Sequence, residues 1–314
     1  MSPMLRAGLL WLSEQPRVFR FVRHNGVARR FAARFVAGET VDSAVTALRD
    51  LNAAGLSATL DLLGESVSRP EEARQARDSY LDLLDRIRAA GADANVSVKL
   101  TQMGLDFDES LCLANVAAIV DRARAHGSFV RVDMESSAYT ERTLRLFTDR
   151  LLPAFGRDHV GVVLQSYLRR TAGDTEAMIG LGARVRLCKG AYKEPADVAF
   201  PDKRDVDASF VACLERLLAK GHYPGIATHD EAIIAHARAY AQRNGIARDR
   251  FEFQMLYGVR RDLQTALRRD GYRVRVYVPF GTHWYPYLMR RLAERPANMA
   301  FIVGNILKES VRRT

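Results

Sequence analysis

Four residues near the C-terminal end put reactive groups at helical spacing: Tyr287, Arg290, Arg291 and Glu294, in "THWYPYLMRRLAE". Positions i, i+3 and i+4 share one face of a helix. A phenol, two guanidiniums and a carboxylate therefore line one side. Guanidinium forks grip carboxylates through paired hydrogen bonds, which fix orientation as well as charge. A solvated outer helix gives the same spacing, so the elements before it must decide. Two lysines, Lys99 and Lys189, stand near the ends of apolar runs. A lysine so placed can form a Schiff base with a carbonyl substrate, the chemistry of a class I aldolase. Lys189 is also followed by Gly190 and Ala191, small residues whose backbone N–H groups can approach a phosphate. Thr228 and His229 lie in "ATHDE", a turn before a helix start, where free N–H groups suit an anion. No His, Cys and carboxylate cluster has the spacing of a metal site.

These residues are positioned by a repeat of strand and helix. Eight short runs carry strand signals: "LSATLDLLGE" (56–65), "NVSVKLT" (95–101), "SFVRVDME" (128–135), "VGVVLQS" (160–166), "ARVRLCKG" (183–190), "GIATH" (225–229), "FEFQML" (251–256) and "VRVYVPF" (274–280). Helical stretches such as "RQARDSYLDLLDRIRAAG" and "ANVAAIVDRARAHG" lie between them, several ending in Gly. This alternation predicts an α/β fold, a (β/α)8 barrel of the TIM type. A doubly wound open sheet is the competitor, but no G-x-G-x-x-G follows a strand. Residues 1–50 read as amphipathic helices preceding a barrel over 51–314, one domain overall.

In such a barrel, chemistry gathers at the C-terminal ends of the strands. Those ends supply Glu65; Lys99; Asp133, Met134 and Glu135; Gln165; Arg186 and Lys189; Thr228 and His229; Gln254; and Tyr277. Glu65, on the first strand, neighbours the last strand once the barrel closes. An ion pair from Glu65 to Arg291 would then act as a gate across the mouth.

The chain has 314 residues, 48% hydrophobic and 27% charged, which suits a soluble globular enzyme with a large core. Its net charge of +10 favours anionic partners without choosing among them. Three cysteines without metal or redox spacing predict a reducing, cytoplasmic setting. No apolar run is long enough to span a bilayer. Basic residues and aromatics do not interleave as in an RNA-binding sheet, so a nucleic-acid partner is not expected.

Seven strings taken together carry a resemblance: "VSVKLTQMG", "VRVDMESSAYTERTL", "GVVLQSYLRRT", "VRLCKGAYKE", "IATHD", "FEFQMLYG" and "VYVPFGTHWYPYLMRRLAERPAN". In content and order they resemble the proline dehydrogenase family, over residues from about 57 to 300. The length is similar to that of its short, monofunctional bacterial members. After Lys99 the chain reads "LTQMG" rather than the "LSALHPRY"-like form of the long bifunctional members. The resemblance implies a distorted (β/α)8 barrel that binds FAD. It implies oxidation of L-proline to Δ1-pyrroline-5-carboxylate, with hydride passing from proline C5 to flavin N5 and electrons then passed to a membrane quinone. It implies that Arg290, Arg291 and Lys99 hold the proline carboxylate and that Tyr277, Tyr287 and Leu256 pack on its ring. The same resemblance implies that Asp133 falls in the family's catalytic cluster and that Arg186 donates toward flavin N5. It implies further that Met134, Gln165, Lys189, Gly190, Ala191, Thr228, His229, Gln254 and Glu294 surround the flavin or its phosphates. Peripheral contact with the inner face of the cell membrane, and a pyrroline-5-carboxylate dehydrogenase downstream, are the partners it implies. The physical reading agrees: the cofactor performs the redox step, and the protein must hold a small amino acid flat against it.

Overall fold

The computed structural model describes residues 32–294, with side chains to residue 289. Helix α1 (Val41–Ala53) leads into β1 (Ser57–Leu62), α2 (Pro70–Ala89) and β2 (Ala94–Val98). There follow α3 (Glu109–Ala125), β3 (Val130–Val132) and α4 (Ser137–Leu146), which runs on through a π-helical turn (Phe147–Leu151) into Leu152–Phe155. Next come β4 (Val160–Gln165), α5 (Thr171–Gly180), β5 (Arg184–Cys188), α6 (Lys203–Lys220), β6 (Gly225–Ala227) and α7 (Glu231–Arg243). The described part ends with β7 (Glu252–Leu256), α8 (Arg261–Arg269), β8 (Arg273–Phe280) and α9 (Trp284–Glu294).

All eight strands are parallel and follow sequence order, and β1 pairs with β8 as well as β2, closing the barrel. Each expected apolar run overlaps one strand. The helices start and stop where local chemistry directs. Asp108 caps α3 by accepting from the amides of Ser110 and Leu111 at 2.8 and 3.0 Å. Gly127 ends it with φ +67, and the Ser128 amide reaches back to the Ala123 carbonyl at 2.8 Å. The expected boundary at residue 50 falls inside α1, which packs on β1 and β8 as an integral barrel helix. Residues 1–31, where the other N-terminal helices were expected, lie outside the described residues.

Strand side chains alternate between two faces. One set, including Leu60, Val96, Val98, Val130, Val132, Val162, Leu187, Ile226, Phe253, Val276 and Val278, is buried against the helices and forms the main core. The other set fills the barrel's interior and is unusually polar. It contains Thr59 and Asp61, Asn95, Ser97 and Lys99, Arg131 and Asp133, Gln165, Arg186, Glu252 and Gln254, all buried. Charges in that setting must be paired and hydrogen-bonded, and their pairing builds the site.

Candidate active site

The inward positions of β1, β2, β3, β5 and β8 converge on two buried ion pairs near the C-terminal mouth. Lys99 directly follows β2, and its Nζ lies 2.8 Å from Asp61 Oδ1 on β1. Asp133 directly follows β3. Its Oδ1 accepts from Ser97 Oγ at 2.9 Å and from Arg186 Nη2, and its Oδ2 accepts from the Tyr277 hydroxyl at 2.8 Å. The Arg186 guanidinium also lies over the Tyr277 ring, 5.1 Å from its centroid. Asp61 is fully enclosed, whereas Lys99, Asp133 and Arg186 keep 6–8% of their surface exposed toward the mouth.

The electrostatics follow from this packing. Burial opposes the charge on Lys99, but the carboxylates of Asp61 and Asp133 outweigh it and raise its pKa. Burial likewise opposes Arg186, and Asp133 more than compensates. Burial and the negative field of Asp133 push the Tyr277 phenol well above its usual range, so it stays a donor. The result is a neutral group of four charges. An ammonium has three donors, and Lys99 gives one to Asp61, leaving two for an anion in the mouth. A Schiff-base lysine must be neutral to attack. Lys99, held charged, and Lys189, clasped by Asp207 and Asp230 at 2.5 and 3.0 Å, do not suit that role.

Other expected residues surround this centre. Glu65 lies three residues beyond β1 and accepts from the Tyr192 hydroxyl at 3.3 Å. Gln165 donates to the Met134 carbonyl at 3.4 Å, while its amide oxygen is enclosed with no hydrogen-bond partner among the described residues. That orphan acceptor fits a ligand carrying an N–H. The Met134 side chain points into the hydrophobic core, away from the interior. Thr228 Oγ1 accepts from the Asp230 amide at 3.1 Å and His229 Nε2 from the Leu256 amide at 2.9 Å, so both brace the turn after β6. Gln254 is directed at Glu252, 2.6 Å away, toward the lower half of the barrel. Lys189 forms a neutral cluster with Lys203, Asp207 and Asp230 rather than an open phosphate clamp. Gly190, at φ +113, lies against Tyr167, and Ala191 follows half-buried. Tyr287 is buried on α9. The side chains of Arg290, Arg291 and Glu294 lie outside the described residues, so the carboxylate clamp and the gate to Glu65 do too.

Sequence reading missed Asp61, Ser97 and Tyr192. Asp61 left a usable signal: a lone carboxylate inside an otherwise apolar strand needs a buried cation.

Among known proteins, the family model described as proline dehydrogenase matches residues 44–303. The chain belongs to the proline dehydrogenase family. It is 43% identical over 308 residues to a proline dehydrogenase of Deinococcus radiodurans, covering 97% of this chain and 98% of the relative. It is 42% identical over 306 residues to proline dehydrogenase 1 of Bacillus subtilis strain 168, covering 98% and 100%. A solved structure of proline utilization A from Bdellovibrio bacteriovorus, inactivated by N-propargylglycine, superposes with a TM-score of 0.81 at 25% identity. That match covers 96% of this chain but 39% of the other, which is the longer protein. As a proline dehydrogenase family enzyme the chain has the closed parallel barrel in common with that structure.

Proposed function

We propose that this protein oxidises L-proline to Δ1-pyrroline-5-carboxylate with FAD and delivers the electrons to a membrane quinone. The observation that carries the reading is the pair of buried ion pairs at one mouth, Lys99–Asp61 and Arg186–Asp133, bridged to Tyr277. It joins the family membership and the relatives' printed activity. The enclosed Gln165 oxygen fits the imide N–H of an isoalloxazine ring. When bound, the flavin supplies the two-electron acceptor.

The chain's own residues bind and orient. Lys99, with Arg290 and Arg291, holds the substrate carboxylate through charge-assisted bonds. Tyr277, Tyr287 and Leu256 wall its ring and exclude water. Arg186 places a fixed positive charge where negative charge accumulates during the reaction. Asp133 already accepts from three donors. We assign it the positioning of Tyr277 and Arg186. Proline loses the C5 hydride and the amine proton, and a C=N bond forms between N and C5.

Met134, Gln165, Lys189, Gly190, Ala191, Thr228, His229, Gln254 and Glu294 form the proposed cofactor surround. At Met134 the backbone carbonyl, rather than the side chain, faces Gln165. At Lys189 a phosphate would have to displace Asp207 or Asp230. The quinone implies peripheral contact with a membrane from the cytoplasmic side. No helix among the described residues is long and apolar enough to cross one. The product's cyclic imine opens to an aldehyde by hydrolysis, so a pyrroline-5-carboxylate dehydrogenase is the fitting downstream partner.

The test is optical. Purified protein should be yellow, and anaerobic L-proline should bleach it. A colourless protein that takes up no FAD, or a yellow one unmoved by proline, overturns the reading.

A further inference from the structure

The opposite, N-terminal mouth of the barrel is lined by four arginines that share one buried acid among the described residues. Arg131 lies on β3, Arg184 begins β5, and Arg273 and Arg275 open β8. The buried acid among them is Glu252, and its oxygens are in use. It takes Arg275 Nε at 2.8 Å, the Gln254 amide at 2.6 Å and the Tyr223 hydroxyl at 3.1 Å. Arg131 is 3% exposed and donates Nη1 only to neutral carbonyls, of Arg184 at 2.6 Å and Val162 at 3.3 Å. Among the described residues, none forms a hydrogen bond or ion pair with the Arg184 guanidinium. Its Cζ lies 4.3 Å from the Phe129 ring centroid and 4.7 Å from that of Tyr223, and its Nε is enclosed without an acceptor. Asp158, whose field reaches Arg184, is exposed and lies 3.4 Å from His222. Asp93, also exposed, is 3.9 Å from Arg275, and the field of the exposed Asp249 reaches Arg273.

The backbone is shaped around this arrangement. Tyr223 has φ +46, a left-handed conformation that costs an aromatic residue about 1–2 kcal/mol. A Cβ at Gly161 would fall 2.5 Å from the Arg184 carbonyl, 2.6 Å from Arg131 Nη1 and 2.7 Å from the Phe129 ring. Glycine there, and strain at Tyr223, keep the rings against the guanidiniums. Stacking fixes a guanidinium plane by its faces and leaves its edge of donors free, which is the edge an oxyanion engages. Arg273 lies beside the same Tyr223 ring, its Cζ 5.5 Å from the centroid, and is exposed.

We propose that this N-terminal mouth is a second anion-binding site, in which Arg184, supported by Arg131 and Arg273, takes a small tetrahedral dianion of the phosphate class. Arg131, Arg184 and Arg273 form no ion pair with a carboxylate among the described residues, and a dianion would offset that excess of positive charge. The site lies at the far end of the barrel from Lys99 and Asp133, so the ligand would stabilise or regulate without meeting substrate.

The test is calorimetric titration of inorganic phosphate into the full chain saturated with FAD, at fixed ionic strength in chloride, so that cofactor phosphate positions are filled. Saturable binding near one per chain is expected, with a rise in melting temperature that chloride does not reproduce. Arg184→Met should weaken that binding at least tenfold while leaving proline turnover in phosphate-free buffer unchanged. Arg273→Met, at an exposed position, should weaken it severalfold and keeps the test valid if Arg184→Met fails to fold. No saturable binding to the unaltered chain, or equal binding in the folded variants, overturns the proposal.

Discussion

Lys99 Nζ lies 2.8 Å from Asp61 Oδ1, with both groups inside the barrel. The pair fixes the charge of the described cation proposed to hold the substrate carboxylate. The Lys99 pKa is raised in the folded state. The stability it contributes is therefore complete below the ordinary lysine value of about 10.4 and lost only at higher pH. Asp61→Asn leaves a buried ammonium without its partner, and the expected loss is about 3–5 kcal/mol in urea denaturation. Lys99→Met should cost similarly, and the double variant should recover part of the sum. Additive losses in that cycle would show that the two groups do not depend on each other.

Glu135 carries a pH dependence of the same sign in a lower range. It is buried, and burial pushes its pKa up to about 7 against the two hydrogen bonds it accepts from Thr101, at 3.1 Å from the amide and 2.5 Å from the hydroxyl. A carboxyl with a raised folded pKa binds its proton more tightly folded than unfolded. Stability therefore falls as pH rises from about 4.5 to about 7 and is flat beyond, by on the order of 3 kcal/mol in total. Glu135→Gln should abolish that slope, so its melting temperature should gain on the unaltered chain between pH 5 and pH 8. Parallel curves for the two proteins would mean that Glu135 is ionised throughout.

Tyr277 donates to Asp133 at 2.8 Å, and burial with that carboxylate keeps the phenol protonated well beyond pH 10. Tyr277→Phe removes one of three donors to Asp133 and keeps the ring over which Arg186 lies. Proline kcat/KM should fall about tenfold, the worth of one charge-assisted hydrogen bond, with FAD content unchanged. The alkaline side of the unaltered enzyme's pH profile should show no phenol ionisation. Loss of FAD in the variant would place Tyr277 in cofactor retention instead.

The strands were legible because eight apolar runs bounded by turn residues alternate with helices, and no G-x-G-x-x-G after a strand favours an open sheet. The polar strand ends followed from that, and Lys99, Asp133, Arg186 and Tyr277 do meet. Asp61 was hidden because the reading looked to the end of its run. The strand stops at Leu62, and its inward register is 57, 59 and 61, so Asp61 faces Lys99 while Glu65 lies in the loop beyond. The partners of Lys189, Asp207 and Asp230, come from two later segments. Pairing across such sequence distances leaves no local pattern.

The expected carboxylate clamp on α9 is tested by mutation. Arg290→Met and Arg291→Met should each raise the proline KM ten- to a hundredfold with a smaller change in kcat, because removing one charge-assisted partner costs roughly 1.5–3 kcal/mol. Unchanged proline saturation in both variants would return the carboxylate to Lys99 alone.

Gly190 joins the site to the loop that follows β5. Its φ of +113 disfavours any side chain, and an added Cβ would lie 2.4 Å from the Tyr167 ring. Tyr167 cannot yield without cost, since its hydroxyl donates to Glu194 at 3.3 Å and Glu194 also accepts from the Ser137 amide at 2.8 Å, at the start of α4. Gly190→Ala must therefore strain its own backbone, at about 1–3 kcal/mol, or displace Tyr167 and loosen that start. Both routes lower the melting temperature, and the second also shifts Lys189 and Ala191 on either side. If these residues line the cofactor, FAD affinity should drop about tenfold, read by fluorescence titration of the apoprotein. A variant that melts and binds FAD like the unaltered chain would show that the loop has room to absorb a methyl group, and that Tyr167 does not fix it.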